Sequence, residues 1–130
     1  MTQPLVYVDT SAAASLLKTE AHSLSLREWL VNSKSPLISS ALLETELRRV
    51  AMRTGASQTR ATAILTRIAQ VQMDQSILRS AGQLSGPFLR SLDAIHIQTA
   101  MTIGARAVLT YDKRMMEAAE YFGIEVLAPA

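Results

Sequence analysis

The sequence predicts an α/β domain built around a mostly parallel sheet, and three observations carry that expectation. Short β-rich apolar runs alternate with longer helical segments along the whole chain. No internal repeat, linker or low-complexity tract interrupts the alternation. The chain has 130 residues, of which 48% are hydrophobic. That suits one domain with a real core, since single domains most often run to roughly 100–150 residues. One domain over residues 1–130 is expected.

The first element is a strand, Leu5-Val6-Tyr7-Val8, bounded by Pro4 and by Asp9-Thr10-Ser11. The alanines and leucines from Ser11 to Glu20 read as a helix, and a second helical stretch ends at Trp29-Leu30. Pro36-Leu37-Ile38 reads as a strand, with Ser39 and Ser40 as caps for a helix from Ala41 to Thr54. Gly55 is its stop, and Gln58 to Ala69 forms the second arm of a helical hairpin. A brief strand at Val71 to Met73 and a helix from Ser76 to Leu84 lead to a loop at Gly86-Pro87. The last four elements are a helix (Leu92 to Ile103), a strand (Ala107 to Leu109), a helix (Lys113 to Phe122) and a strand (Ile124 to Leu127).

Composition removes several classes of chemistry. There is no cysteine, so disulfides and thiolate metal sites are excluded. His22 and His96 are the two histidines. A metal site must therefore be built mainly from carboxylates, and hard oxygen ligands favour magnesium or manganese over zinc. No basic residue precedes the first apolar run, which is too short for a secretory h-region. No stretch approaches the roughly 18 apolar residues that a membrane span needs. A soluble cytoplasmic protein without a membrane partner is expected.

The net charge is only +2, but it is unevenly spread. Between Leu47 and Met73 lie Arg48, Arg49, Arg53, Arg60 and Arg67, with no acidic residue among them. Such a patch can attract phosphate backbones. It can equally be a solvated helical face or a docking surface for an acidic partner.

In parallel α/β sheets, ligands bind beyond the carboxyl ends of the strands. Asp9 follows the first strand directly and Asp112 follows Val108-Leu109-Thr110, so both acids fall at that edge. Two more acids stand out by periodicity. At about 100° per residue, Leu42, Leu43, Leu47 and Val50 fan over one side of their helix. Glu46 projects inside that stripe, where a carboxylate costs free energy unless something compensates it. Glu44 projects away, toward Arg48 at i+4, as an ordinary surface acid. The Leu92–Ile103 helix is apolar nearly all round and therefore buried. Asp93 sits in its first turn, where the helix dipole favours negative charge. His96, one turn on, is by type more often a hydrogen-bonded core residue than a ligand.

Four carboxylates at one edge repel one another, and a divalent cation resolves that repulsion. Magnesium takes one or two protein carboxylates and keeps several waters, leaving room for a phosphate ligand. The chemistry suggested is hydrolysis of a phosphate ester. No GxGxxG, GxxxxGK[ST], HExxH or EF-hand pattern is present, and nothing resembles a nucleophile elbow.

Four segments together resemble a known family. They are Val6-Tyr7-Val8-Asp9-Thr10-Ser11-Ala12, Ser39 through Glu46-Leu47-Arg48-Arg49, Leu92-Asp93-Ala94-Ile95-His96 and Leu109-Thr110-Tyr111-Asp112-Lys113-Arg114. They look like the successive motifs of PIN domains, closest to the VapC toxins of bacterial toxin–antitoxin pairs. The resemblance covers the chain from Leu5 to the last strand. It implies a parallel sheet sandwiched by helices, an α/β/α architecture, with Mg²⁺ or Mn²⁺ held at an acidic cluster. Asp9 and Asp93 would be the principal metal ligands, with Glu46 and Asp112 completing the set. Thr10, Ser11 and Thr110 match supporting hydroxyl positions.

The implied activity is endoribonucleolytic cleavage of transfer or ribosomal RNA by metal-activated water, inhibiting translation and growth. The implied partners are a second copy of the chain and a VapB-type antitoxin. Arg48, Arg49 and Arg53, or Lys113 and Arg114, would hold the RNA backbone or form the antitoxin or dimer surface. Two other readings are a PIN-like nuclease of RNA maturation without an antitoxin, and a non-catalytic binding module. With two phenylalanines, three tyrosines and one tryptophan, an extended base-stacking platform is not expected. Recognition would rest on RNA shape, a short loop and backbone charge.

Overall fold

The computed structural model describes residues 4–130. The expected domain span and the N-terminal segment read as lacking a leader begin in residues 1–3, outside the described residues. The first half of the chain forms β1 (Val6–Val8), α1 (Thr10–Ala14), α2 (Ser23–Asn32), β2 (Leu37–Ser40), α3 (Leu42–Thr54) and α4 (Gln58–Thr66). The second half forms β3 (Ala69–Val71), α5 (Gln75–Gly82), α6 (Ser91–Thr102), β4 (Ala107–Leu109), α7 (Lys113–Tyr121) and β5 (Glu125–Leu127).

The five strands make one sheet in the order β3-β2-β1-β4-β5, and every neighbouring pair is parallel. β1 and β4 are buried at all three positions, as strands covered on both faces must be. Alternation along each strand assigns the faces. Val6, Val8 and Leu109 pack with Leu43, Leu47, Ile64 and Leu65 in the layer of α1 to α4. Tyr7 and Val108 pack with Ile97, Ala100, Met115 and Ala118 in the layer of α6 and α7, and α5 lies against α6. The α/β/α sandwich expected from the resemblance is present. Among the described residues no helix is long and apolar enough to cross a membrane.

The chain leaves β1 toward β2 on one side, and later enters β4 on the other. The strand order therefore reverses between β1 and β4, at the kind of switch point where parallel sheets open a crevice. Asp9 and Thr110 sit at its two lips.

Five local readings are corrected. The first helix ends at Ala14 rather than Glu20, because residues 15–23 turn around the buried Ser23 hydroxyl. That hydroxyl accepts the Glu20 N–H and donates to the Ser15 carbonyl. Ser39 and Ser40 belong to β2: Ser39 donates to the Val8 carbonyl, while Ser40 Oγ still accepts the Leu42 N–H at the helix start. The third strand begins at Ala69 instead of Val71, since pairing with β2 matches Ile38 to Ala69 and Ser40 to Val71. That pairing also ends α4 at Thr66. α5 starts at Gln75 because Asp74 caps it through the Ile77 N–H. The Gly55 stop holds, with φ at 76° in the left-handed region that favours glycine.

Ile97 is fully buried between β1, β4 and α7. Ile97→Ala should lower stability by about 2–5 kcal/mol, read as a reduced urea midpoint with unchanged slope. Val31→Ala, at a residue that is 83% exposed, should stay within about 0.5 kcal/mol of wild type.

Candidate active site

The site is built at the β1/β4 switch point by hydroxyl groups that hold carboxylates. Asp9 is 5% exposed, and its backbone N–H donates to the Leu109 carbonyl at 3.0 Å, closing β1 onto β4. Asp9 Oδ2 accepts from Ser11 Oγ and from Thr110 Oγ1, each at 2.8 Å. With those protons committed, the same two hydroxyls accept backbone N–H groups, Ser11 from Tyr111 and Thr110 from Asp112. Among the described residues Asp9 Oδ1 has no hydrogen-bond partner. Among the described residues no buried side-chain oxygen or nitrogen is left without one, so Oδ1 is open to water.

Glu46 repeats the pattern from the other direction. Its Oε1 accepts from Thr10 Oγ1 and pairs with His96 Nε2, both at 2.6 Å, and Oε2 is left open. His96 Nδ1 lies 2.6 Å from the buried Tyr7 hydroxyl. Burial acts to raise the Glu46 pKa, but the hydrogen bond from His96, the charge His96 carries when protonated and the bond from Thr10 outweigh it and hold the carboxyl below its ordinary range. Burial pushes the Tyr7 hydroxyl far above its usual value.

Asp112 caps α7, its Oδ1 accepting the Arg114 N–H at 3.0 Å. Asp93, in the first turn of α6, is half-buried. Its pKa is raised, first by burial and then by the charges of Asp112 and Asp9, against smaller opposing effects of Arg114 and His96. Asp9, Asp93 and Asp112 are thus close enough to act on one another, while Glu46 joins the set through Thr10 and His96.

Among the described residues no three acidic or imidazole side chains converge tightly enough to ligate one ion together. Each acid still offers an open oxygen, and like charges raise the proton affinity of Asp93. This all-oxygen donor set fits a hard divalent cation that takes one or two protein ligands and keeps its waters. The residues that could hold such an ion are Asp9, Asp93, Asp112 and Glu46.

The basic residues divide. Arg48 is engaged within the protein, pairing with Glu44 and reaching Gln58 and Thr62 on α4. Arg49 and Arg53 are exposed on α3, and Lys113 and Arg114 are exposed at the start of α7 beside the acids. Sequence reasoning missed Tyr7, whose one visible signal was a hydroxyl in an otherwise apolar strand. His96 proves to be the hydrogen-bonded buried residue its type suggests, and its partner is Glu46.

Fold and site together define a class, the parallel α/β sandwich with an acidic edge suited to a hard cation. The chain belongs to the PIN domain family, which it matches over residues 6–121. Ribonuclease VapC35 of Mycobacterium tuberculosis is 38% identical over 132 residues, spanning 96% of this chain and 97% of the relative. Ribonuclease VapC46 of the same species is 37% identical over 128 residues, spanning 96% and 98%. Among solved structures, Mycobacterium tuberculosis VapC20, described as a sarcin–ricin loop cleaving toxin, superposes with a TM-score of 0.76. It is 18% identical and covers 95% of this chain and 99% of its own. A toxin–antitoxin complex from Klebsiella pneumoniae gives a TM-score of 0.73 at 18% identity, covering 96% and 98%. These two likenesses show the fold.

The raised Asp93 pKa has a measurable consequence in metal-free protein. A carboxyl whose folded pKa exceeds its unfolded value stabilises the fold relatively at low pH and loses that contribution as pH rises through the folded pKa. In EDTA, Asp93→Asn should therefore melt higher than wild type at pH 7. The difference should vanish below about pH 3.5, under the ordinary aspartate pKa. Thermal melts across that range check both signs.

Proposed function

We propose that this protein is a Mg²⁺-dependent endoribonuclease, the toxin of a type II toxin–antitoxin pair, with Mn²⁺ as an alternative ion. The observation that carries the reading is the set of open carboxylate oxygens on Asp9, Asp93, Asp112 and Glu46 at the β1/β4 switch point. The relatives named as ribonucleases and the neighbour described as a toxin support the substrate class and the role. The target is transfer or ribosomal RNA, the compartment is the cytoplasm, and the outcome is arrested translation and growth.

When bound, the divalent cation supplies a Lewis acid that lowers the pKa of water and offsets charge on the reacting phosphate. The chain's own residues do the rest. Ser11 and Thr110 fix the direction in which Asp9 presents Oδ1. The N-terminal dipole of α6 favours the ionised form of Asp93, opposing the burial and repulsion that raise its pKa. Asp112 is held by its capping bond, with its second oxygen toward solvent. Lys113 and Arg114 follow it directly and hold the RNA backbone by charge; Arg49 and Arg53 supply further positive surface. Arg48, engaged with Glu44, stabilises the α3–α4 hairpin.

The partner is an antitoxin segment seated in an apolar groove of about 420 Å³. Ala12, Ala13, Leu26, Leu30, Ile64 and Ile68 line it, with Arg27, Arg60 and Arg67 at its margin. That combination suits an amphipathic helix whose flank is acidic. A toxin–antitoxin complex among the structural neighbours supports an antitoxin as the partner. Exposed apolar surface at Leu78, Phe88, Leu92 and Tyr121 supports a homodimer.

Purified wild type and Asp93→Asn should be compared on total cellular RNA with Mg²⁺ or EDTA, mapping new 5′ ends. Discrete cleavage by wild type with Mg²⁺, lost in EDTA and reduced at least about 100-fold in Asp93→Asn, is expected. Equal cleavage by both proteins would overturn the reading. A second comparison tests the partner. Val31→Asp combined with Arg67→Glu should leave cleavage intact while raising the antitoxin concentration needed for inhibition by about tenfold or more. Unchanged inhibition would place the antitoxin elsewhere.

A further inference from the structure

Behind the acidic edge, the most constrained polar feature is the chain Tyr7–His96–Glu46–Thr10, which takes in one of the edge's own acids. It joins both helical layers, since His96 comes from α6 and Glu46 from α3, while Tyr7 and Thr10 lie on and just after β1. Tyr7 is 0% and His96 2% exposed. Each of the three side-chain contacts is 2.6 Å.

The directions of these bonds follow from proton counting. Tyr7 Oη accepts the Ser40 N–H at 3.1 Å, and beside the neutral imidazole its own proton is the one that fills the 2.6 Å contact with His96 Nδ1. A histidine accepting at Nδ1 carries its hydrogen on Nε2, and Nε2–H then donates to Glu46 Oε1. Thr10 donates to the same oxygen. One oxygen of Glu46 is therefore saturated by two donors fixed to different elements, and the other is free. A buried histidine with a purely packing role needs neither a fixed tautomer nor a partner at the catalytic edge.

We propose that His96 is a positioning residue for RNA cleavage: anchored by Tyr7, its Nε2–H holds Glu46 by Oε1 so that Glu46 acts through Oε2 alone. This rests on the nuclease reading above. Groups that orient functional carboxylates from behind typically contribute about 10–100-fold to activity. The contribution belongs in kcat, because the bond sets the direction of a carboxylate that meets the reacting centre and touches no distant part of the RNA.

Two measurements test it. In metal-free wild type, ¹⁵N NMR of the imidazole should show His96 as the Nε2–H tautomer, and Tyr7→Phe should shift it toward a mixture. The other tautomer in wild type, or no response to Tyr7→Phe, would overturn the anchoring. In cleavage assays His96→Leu should lower kcat about tenfold or more with KM within about twofold. His96→Gln, whose amide N–H can still reach Glu46, should recover most of that loss. Wild-type kcat in His96→Leu, or equal loss in Leu and Gln variants with matched melting temperatures, would overturn positioning. Should His96→Leu fail to fold, Tyr7→Phe and His96→Gln decide the kinetic arm. If wild type cleaves no RNA, the nuclease reading fails, and the tautomer measurement still decides whether Tyr7 anchors His96.

Discussion

Mutual repulsion among Asp9, Asp93 and Asp112 is the interaction on which the rest of the structure turns. Burial, joined by the charges of Asp112 and Asp9, raises the free energy of ionised Asp93, as its raised pKa records. The fold contains that cost locally. Ser11 and Thr110 donate to Asp9, a backbone N–H donates to Asp112, and the N-termini of α6 and α7 place helix dipoles behind Asp93 and Asp112. Hydrogen bonds to charged groups contribute about 1.5–3 kcal/mol each, enough to hold a carboxylate in one direction against its neighbours.

The parallel sheet makes this possible and is constrained by it. A strand buried on both faces passes in a single residue step from apolar to polar side chains, as at Val8–Asp9 and Leu109–Thr110. Asp9 and Thr110 are still buried there, which is why each needs a fixed hydrogen-bond partner. The hydroxyls that steady them also finish the backbone ladder by accepting the N–H groups of Tyr111 and Asp112. Acidic edge and sheet end are therefore one hydrogen-bonded object.

Much of this was legible in the sequence where the signal is local. The alternating strands and helices, the buried 92–103 segment and the misplaced carboxylate at Glu46 all follow from periodicity within a dozen residues. The four acids and the Ser11 and Thr110 hydroxyls stand out in the sequence through the motifs that carry the family resemblance. What stayed hidden depends on distant pairing. The register of β3 is set by β2, and the early end of α1 is set by Ser23. The role of Tyr7 is set by His96, 89 residues away. Charge patterning was similarly blind to engagement: Arg48 belongs to a run of arginines with no acid among them, yet Glu44, just before that run, holds it against α4.

The clamp on Asp9 has a consequence for the birth of the protein. Thr110 is 101 residues from the carboxylate it holds, so no early segment of the nascent chain can complete the crevice. A contact of such sequence separation forms late, after loop closure has been overcome. The ribosome thus releases residues 9, 46 and 93 before the last lip of the crevice exists. Assembly of the acidic edge is tied to the arrival of β4, at whose end Thr110 stands.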